Sequence, residues 1–262
     1  NLTATANLIY AQQSDPAVAI SLKNGGGIRA SIGECSVPPG AVDYDTEVCT
    51  APLGIPGVKA SGGISLSALQ LTLAFNNGLT MLTLTGEQLQ QIVEHGVAAT
   101  AEGATPGQFP QVAGIRFSFD PARDPSDRVR NLVVEDSNGA EEGGSEVIVV
   151  QDGVLNPAAA AQTFRIVTLG FLAGGGDGYP FPADAAANVV ELKEEGVQSG
   201  NVTFADNGTE QDALAEYLFT HYPADDDPNT PAFAESDTEA ALDSRIQDLS
   251  RVAVDSVIPA TP

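Results

Sequence analysis

Two glycine-rich stretches hold the residues of this sequence best suited to meet a small ligand. In Asn24-Gly25-Gly26-Gly27-Ile28-Arg29, three glycines let backbone N–H groups approach a ligand closely, and Arg29 adds a fixed charge and a donor fork that suit phosphate. Alone, the stretch reads by default as a tight turn with a salt-bridged arginine. It has neither the Lys-Ser/Thr ending of a P-loop nor the spacing of a dinucleotide fingerprint. The second stretch, Phe171-Leu172-Ala173-Gly174-Gly175-Gly176-Asp177-Gly178-Tyr179, sets an aromatic at the end of a strand and an acid inside a flexible turn. A base can stack on Phe171 while the Asp177 carboxylate accepts hydrogen bonds from ribose hydroxyls. The competing reading is a glycine turn whose Asp bonds its own backbone. A calcium β-roll would need tandem copies of the motif, and one copy is present.

Phe75-Asn76-Asn77-Gly78 precedes another apolar strand and is a candidate second aromatic jaw, although Phe75 by itself also suits a core. Together the three loops offer aromatic, amide, acid and arginine groups at strand ends, a better ligand constellation than any one of them. Catalytic sets are missing. His95 and His221 are the only histidines, and neither has the spacing of a metal triad or an adjacent activated nucleophile. His95 falls near the C-terminal end of its helix, where an imidazole complements the dipole. Asp225 to Asp227 reads as a solvated loop that calcium could visit. Neither a metal site nor a cofactor is expected in this chain.

The elements that must position these loops are of mixed type. Leu2, Ala6 and Ile9 repeat near helical spacing at the start, and the abrupt opening suggests a cut within a longer protein. Val18 to Leu22 reads as a buried strand. Thr80 to Leu84 reads as another, followed by a capping-box pattern at Thr85 and Gln88 and a helical face of Leu89, Ile92, Val93 and Val97. Strands are also expected at Ile115 to Phe119, Leu132 to Val134, Val147 to Val150 and Phe164 to Leu169. A helix is expected near Glu210 to His221. A last one is expected from the Ser236/Glu239 capping box through Leu242, Ile246 and Leu249. The fold class is therefore α+β, with mixed β-sheets and packed helices. Residues 1–232 form the main domain, and residues 233–262 a helical extension that docks on it or leads to a linker.

Composition limits the partners. With 262 residues, 42% of them hydrophobic, the chain can bury a sizeable core. No run of about 18 apolar residues exists, so no membrane span is expected. A net charge of -24 opposes contact with a nucleic-acid polymer, whose binding depends on Lys and Arg. It leaves room for a small phosphorylated ligand where a few arginines gather. Cys35 and Cys49, the only cysteines, bracket the excursion from Ser36 to Val48, and a disulfide between them would imply an oxidising compartment.

These motifs, in this order, resemble the C-terminal domain of the 5'-nucleotidase family. Asn24 to Arg29, Phe75 to Leu79, Leu84 to Leu89, Glu94-His95, Phe109 to Arg116 and Phe171 to Tyr179 carry the resemblance, which covers about Asn1 to Phe181. It implies that Phe75 and Phe171 sandwich a base, Asp177 holds the ribose, and Asn77 adds a base-side or hydroxyl contact. Arg29 would face phosphate, with Asn24 near the nucleoside. It also implies a partner, an N-terminal metallophosphoesterase domain of the same chain. That domain would bring two divalent metal ions and carry the hydrolysis of nucleoside 5'-phosphates, in a periplasmic or extracellular setting. The chain on its own would then be inert. Thr5 stands where the family's opening helix often has Asp, and Ser36 to Lys59 lengthens a loop that is usually shorter. Family members place a further phosphate-contacting arginine just before the opening helix, which the given sequence does not include, so the resemblance implies weaker nucleotide binding here than in the whole enzyme. UDP-sugar or 2',3'-cyclic nucleotide hydrolysis, a non-catalytic nucleotide-binding module and a calcium-stabilised surface module are the competing functions.

Overall fold

The computed structural model describes residues 1–36, 48–135, 146–223 and 243–258. Helix α1 (Leu2–Ser14) leads into β1 (Val18–Asn24) and a 3-10 turn at Gly25–Gly27. There follow β2 (Glu34–Ser36), β3 (Val48–Thr50), α2 (Leu66–Thr72), β4 (Leu79–Thr85) and α3 (Gly86–Val97). The middle of the chain supplies β5 (Pro110–Ala113), β6 (Ile115–Phe119), β7 (Val129–Val134), β8 (Val147–Gln151) and β9 (Val154–Leu155). It closes with α4 (Pro157–Ala160), β10 (Thr163–Leu169), α5 (Gly170–Ala173), β11 (Val190–Glu191), α6 (Glu210–His221) and β12 (Ile246–Asp248). The class is α+β.

The first sheet has the order β11-β4-β10-β1-β5, and the second β12-β6-β7-β8-β9. In the first, β1 and β10 are parallel while β4, β5 and β11 run antiparallel to their neighbours. Nearly all of β1 is buried, as its run of apolar residues requires of a central strand covered on both faces. The chain leaves this sheet for the second at Gly114, which sits between β5 and β6 with φ +75°. A Cβ there would lie 1.8 Å from the Ala19 carbonyl oxygen, so no other residue allows the crossing.

Helix α3 ties the two sheets together. Its start is fixed by the capping box, in which the Thr85 hydroxyl accepts from Gln88 N and the Gln88 side chain accepts from Thr85 N. Leu89, Ile92, Val93 and Val97 are fully buried, in one core with Leu82 and Leu84 of the first sheet and Leu132 and Val149 of the second. Each such side chain contributes about 1.5–3 kcal/mol on leaving water. A smaller cluster joins Ala6 of α1, Leu69 and Leu73 at α2, and Leu214 and Leu218 of α6.

The expected C-terminal helix is corrected where it is described. Ile246 to Asp248 form a strand, parallel to Phe117–Phe119 of β6, with Leu249 in a turn just beyond. An unpaired sheet edge offers a row of backbone partners, and that outweighs a three-to-four-residue apolar spacing. The Ser236/Glu239 box and the Asp225 to Asp227 loop lie outside the described residues. No described helix is long and apolar enough to cross a membrane.

Strands β2 and β3 pair antiparallel with Cys35 directly opposite Cys49. Facing residues of such a pair have Cα atoms about 4.5–5.5 Å apart, within the span of a disulfide. Thiol titration under denaturing, non-reducing conditions is therefore expected to find no free thiol, and two per chain would defeat the bridge.

Candidate functional site

Three chain ends meet at one end of the first sheet. Because β1 and β10 are parallel, their C-terminal ends lie side by side, and antiparallel β4 brings its N-terminal end to the same place. Leu169 pairs with Leu79, and Gly170 N donates to Gly78 O at 2.8 Å. Asn24 ends β1, the Phe75 to Gly78 loop enters β4, and β10 runs directly into α5, which carries Phe171 and leads into the turn of Asp177 and Tyr179. The carboxyl ends of adjacent parallel strands are where open sheets form ligand crevices.

Asn24 and Asp177, 153 residues apart, are joined directly, Asn24 Nδ2 donating to Asp177 Oδ2 at 2.6 Å. Asn24 is buried, while Asp177 is exposed and its second carboxylate oxygen has no hydrogen bond among the described residues. Asp177 has φ 53°, in the left-handed region that Asp tolerates better than most residues. The turn is held from behind. His95 Nε2 contacts Asp177 O at 2.8 Å, and since a carbonyl only accepts, that nitrogen carries the proton. The imidazole meets the Tyr179 ring edge-on at 4.8 Å. The circuit closes through Tyr179 Oη donating to Gln108 O at 2.5 Å and Gln108 Nε2 donating to His95 O at 2.6 Å. Burial, and secondly the Asp177 charge, push the Tyr179 phenol up, so it stays a donor. His95 thus positions the acid as well as meeting the helix dipole.

Phe171 is 49% exposed and Phe75 65% exposed, so neither is a core residue. A Cβ on Gly176 would fall 2.5, 2.5 and 2.6 Å from Cε1, Cζ and Cδ1 of Phe171. A point nearly equidistant from three successive ring atoms lies close to the axis of the ring. Gly176 therefore underlies one face of Phe171 and leaves the opposite face uncovered by it, the arrangement of a stacking platform.

The Phe75 loop is fastened to the N-terminus of α6. Asn77 O accepts from Glu210 N at 2.9 Å and Asn76 Oδ1 from Gln211 N at 3.3 Å, satisfying N–H groups that a helix start leaves without partners. In return Glu210 Oε1 accepts from Asn77 N at 3.0 Å and Asn77 Nδ2 at 2.9 Å. Lys23, fully buried in β1, donates to Glu210 Oε2. A lysine directly after the apolar run of β1 is the sequence signal that could have revealed this pair.

The glycines after Asn24 differ from expectation. Gly25 N and Gly26 N donate to Phe109 O and Gly107 O, each at 2.7 Å, so these two amides are spent on the neighbouring loop rather than offered to phosphate. Arg29 is exposed, its backbone N bonds Thr72 O at 2.8 Å, and its Nη1 bonds Gly26 O at 3.2 Å. That is the one hydrogen bond of its guanidinium among the described residues. Also among them, no three His, Cys, Asp or Glu side chains are grouped to hold a metal ion.

Comparison with known proteins bears on the family and the fold. Residues 41–184 match the family model for the 5'-nucleotidase, C-terminal domain. The trifunctional nucleotide phosphoesterase protein YfkN of Bacillus subtilis (strain 168) is 29% identical over 186 residues, 71% of this chain and 10% of that protein. The snake venom 5'-nucleotidase of Crotalus adamanteus is 29% identical over 164 residues, 62% of this chain and 21% of that protein. The fold is shared with the 5'-nucleotidase precursor from Thermus thermophilus, at a TM-score of 0.56 and 23% identity over 95% of this chain and 34% of that one. This chain thus spans between a tenth and about a third of each of these relatives. It belongs to the family of 5'-nucleotidase C-terminal domains.

Proposed function

We propose that this chain is the nucleotide-recognising domain of an exported 5'-nucleotidase acting on nucleoside 5'-phosphates. An N-terminal metallophosphoesterase domain with two divalent metal ions would activate the attacking water. The observation that carries this reading is the hydrogen-bonded Asn24–Asp177 pair at a sheet end that also bears two exposed phenylalanines. Phe171, seated on Gly176, stacks one face of the base and Phe75 covers the other. Asp177 accepts from the ribose hydroxyls, and Arg29 turns its unused donors to the phosphate. Export is supported by the facing cysteines, and an acidic surface suits an extracellular or periplasmic setting.

Calorimetry on this chain, which carries its own core, is the test. Adenosine is expected to bind weakly, and Phe75→Ala or Phe171→Ala to cost about 1–3 kcal/mol each. Arg29→Ala should weaken AMP and spare adenosine. Equal losses for both ligands would reassign Arg29 to structure, and no adenosine binding at all would sink the nucleoside site. Phosphate release from AMP is expected to be nil with or without divalent metal. Turnover that copurifies with the chain and vanishes on mutating Asp177 would overturn this division of labour.

A further inference from the structure

We propose that Glu210, anchored by Lys23, is a positioning residue that sets which way the Asn77 amide faces, and thereby which hydrogen-bonding edge of a base the cleft accepts. The inference rests on the nucleoside reading above. Glu210 and Lys23 are both fully buried, and the ammonium occupies Oε2. Oε1 faces two donors of Asn77, the backbone N–H and the side-chain NH2. The backbone donor cannot turn, and a carboxylate oxygen accepts only, so the side-chain nitrogen must face Glu210. The one acceptor the Asn77 side chain has left is its carbonyl Oδ1, beside the second N–H of Nδ2. Asn77 is half-buried, two residues from the exposed Phe75 and in the same loop. A base stacked beside it would meet an acceptor and would need to offer a donor. A buried ion pair adds little over apolar side chains of similar volume, so stability alone does not account for Lys23 and Glu210.

Adenosine and inosine probe this directly. Adenine carries a 6-amino donor and an N1 acceptor, whereas hypoxanthine carries a 6-oxo acceptor and an N1–H donor. Whichever of these positions Oδ1 meets, one nucleoside is favoured, by about tenfold for one matched against one mismatched hydrogen bond. In Glu210→Gln the amide oxygen is claimed by the Lys23 ammonium, which turns the amide nitrogen towards Asn77. The Asn77 backbone N–H, which cannot turn, then loses its acceptor, while the side-chain amide flips to offer Oδ1 to that nitrogen and presents its NH2 to the base, so the preference inverts. In the double variant Lys23→Met/Glu210→Gln no ammonium claims that oxygen. It returns to the two Asn77 donors, and the wild-type preference is restored.

The experiment is calorimetric titration of both nucleosides into wild type and the two variants, with thermal unfolding as a check on folding. Inversion in Glu210→Gln and restoration in the double variant are the expected results. Equal affinity for the two nucleosides in the wild type, or a folded Glu210→Gln keeping the wild-type sense of preference, overturns the proposal while leaving the nucleoside site standing. Failure of the wild type to bind either nucleoside defeats the site itself, and the proposal with it. Should Glu210→Gln not fold, Asn77→Ala decides, because it keeps the backbone N–H bond to Glu210. The affinity ratio is then expected to fall to about one, and a preference that survives overturns the proposal.

Discussion

Replacing Lys23 by methionine is expected to lower the free energy of unfolding by about 3–5 kcal/mol, the cost of removing one partner from a buried ion pair. Methionine keeps most of the stem volume, so little of the loss would come from a cavity. The loss comes from Glu210, which keeps its place at the start of α6 with no solvent exposure and no counter-charge. Burial pulls the Lys23 ammonium below its ordinary value of 10.5, and the Glu210 carboxylate opposes that pull. The lysine's charge therefore depends on the Glu210 carboxylate beside it. A denaturant titration should show a lower midpoint with an unchanged slope. Adding Glu210→Gln to Lys23→Met should recover most of the loss, since a neutral amide needs no cation. A loss under about 1 kcal/mol for the single variant would show that water or another group reaches the carboxylate, and that Glu210 does not depend on Lys23 for its place.

What the sequence disclosed and what it hid divide along a physical line. Local signals were legible. The capping box at Thr85 and Gln88 is formed, and the strands expected around Val18 to Leu22, Ile115 to Phe119 and Phe164 to Leu169 all occur, as does a helix at Glu210–His221. Each is specified by residues within a turn or two of one another, so periodicity and capping chemistry suffice. Contacts set by topology were not legible. Asn24 and Asp177 could be picked by type, but their hydrogen bond exists only because β1 and β10 run parallel and end together. Glu210 stands in the sequence only as the first residue of an expected helix. Its bonds to Asn77 and Lys23 span 133 and 187 residues, and no window of sequence contains them. The C-terminal segment shows the same limit from the other side, since Ile246 fits a helical stripe until the edge of β6 offers it a partner.

The glycines of the second cluster were legible only as flexibility, and the structure gives one of them a specific task. Gly176→Ala is expected to weaken adenosine binding by about 1–3 kcal/mol, as much as losing the Phe171 ring, because the added methyl would occupy the space now filled by the ring's covered face. At 2.5 Å from Cε1 and Cζ the two cannot coexist, and an aromatic ring with χ1 and χ2 as its only freedoms must swing away rather than bend. Stability should change little, within about 0.5 kcal/mol, since the ring is already half-exposed and its packing is not part of the core. A double-mutant cycle separates this from a general disturbance of the turn that carries Asp177. If Gly176 acts through the ring, the alanine substitution should cost nothing further in a Phe171→Ala background. If it weakens adenosine equally there, the methyl is displacing Asp177 instead, and Phe171 is not the platform on which the base rests.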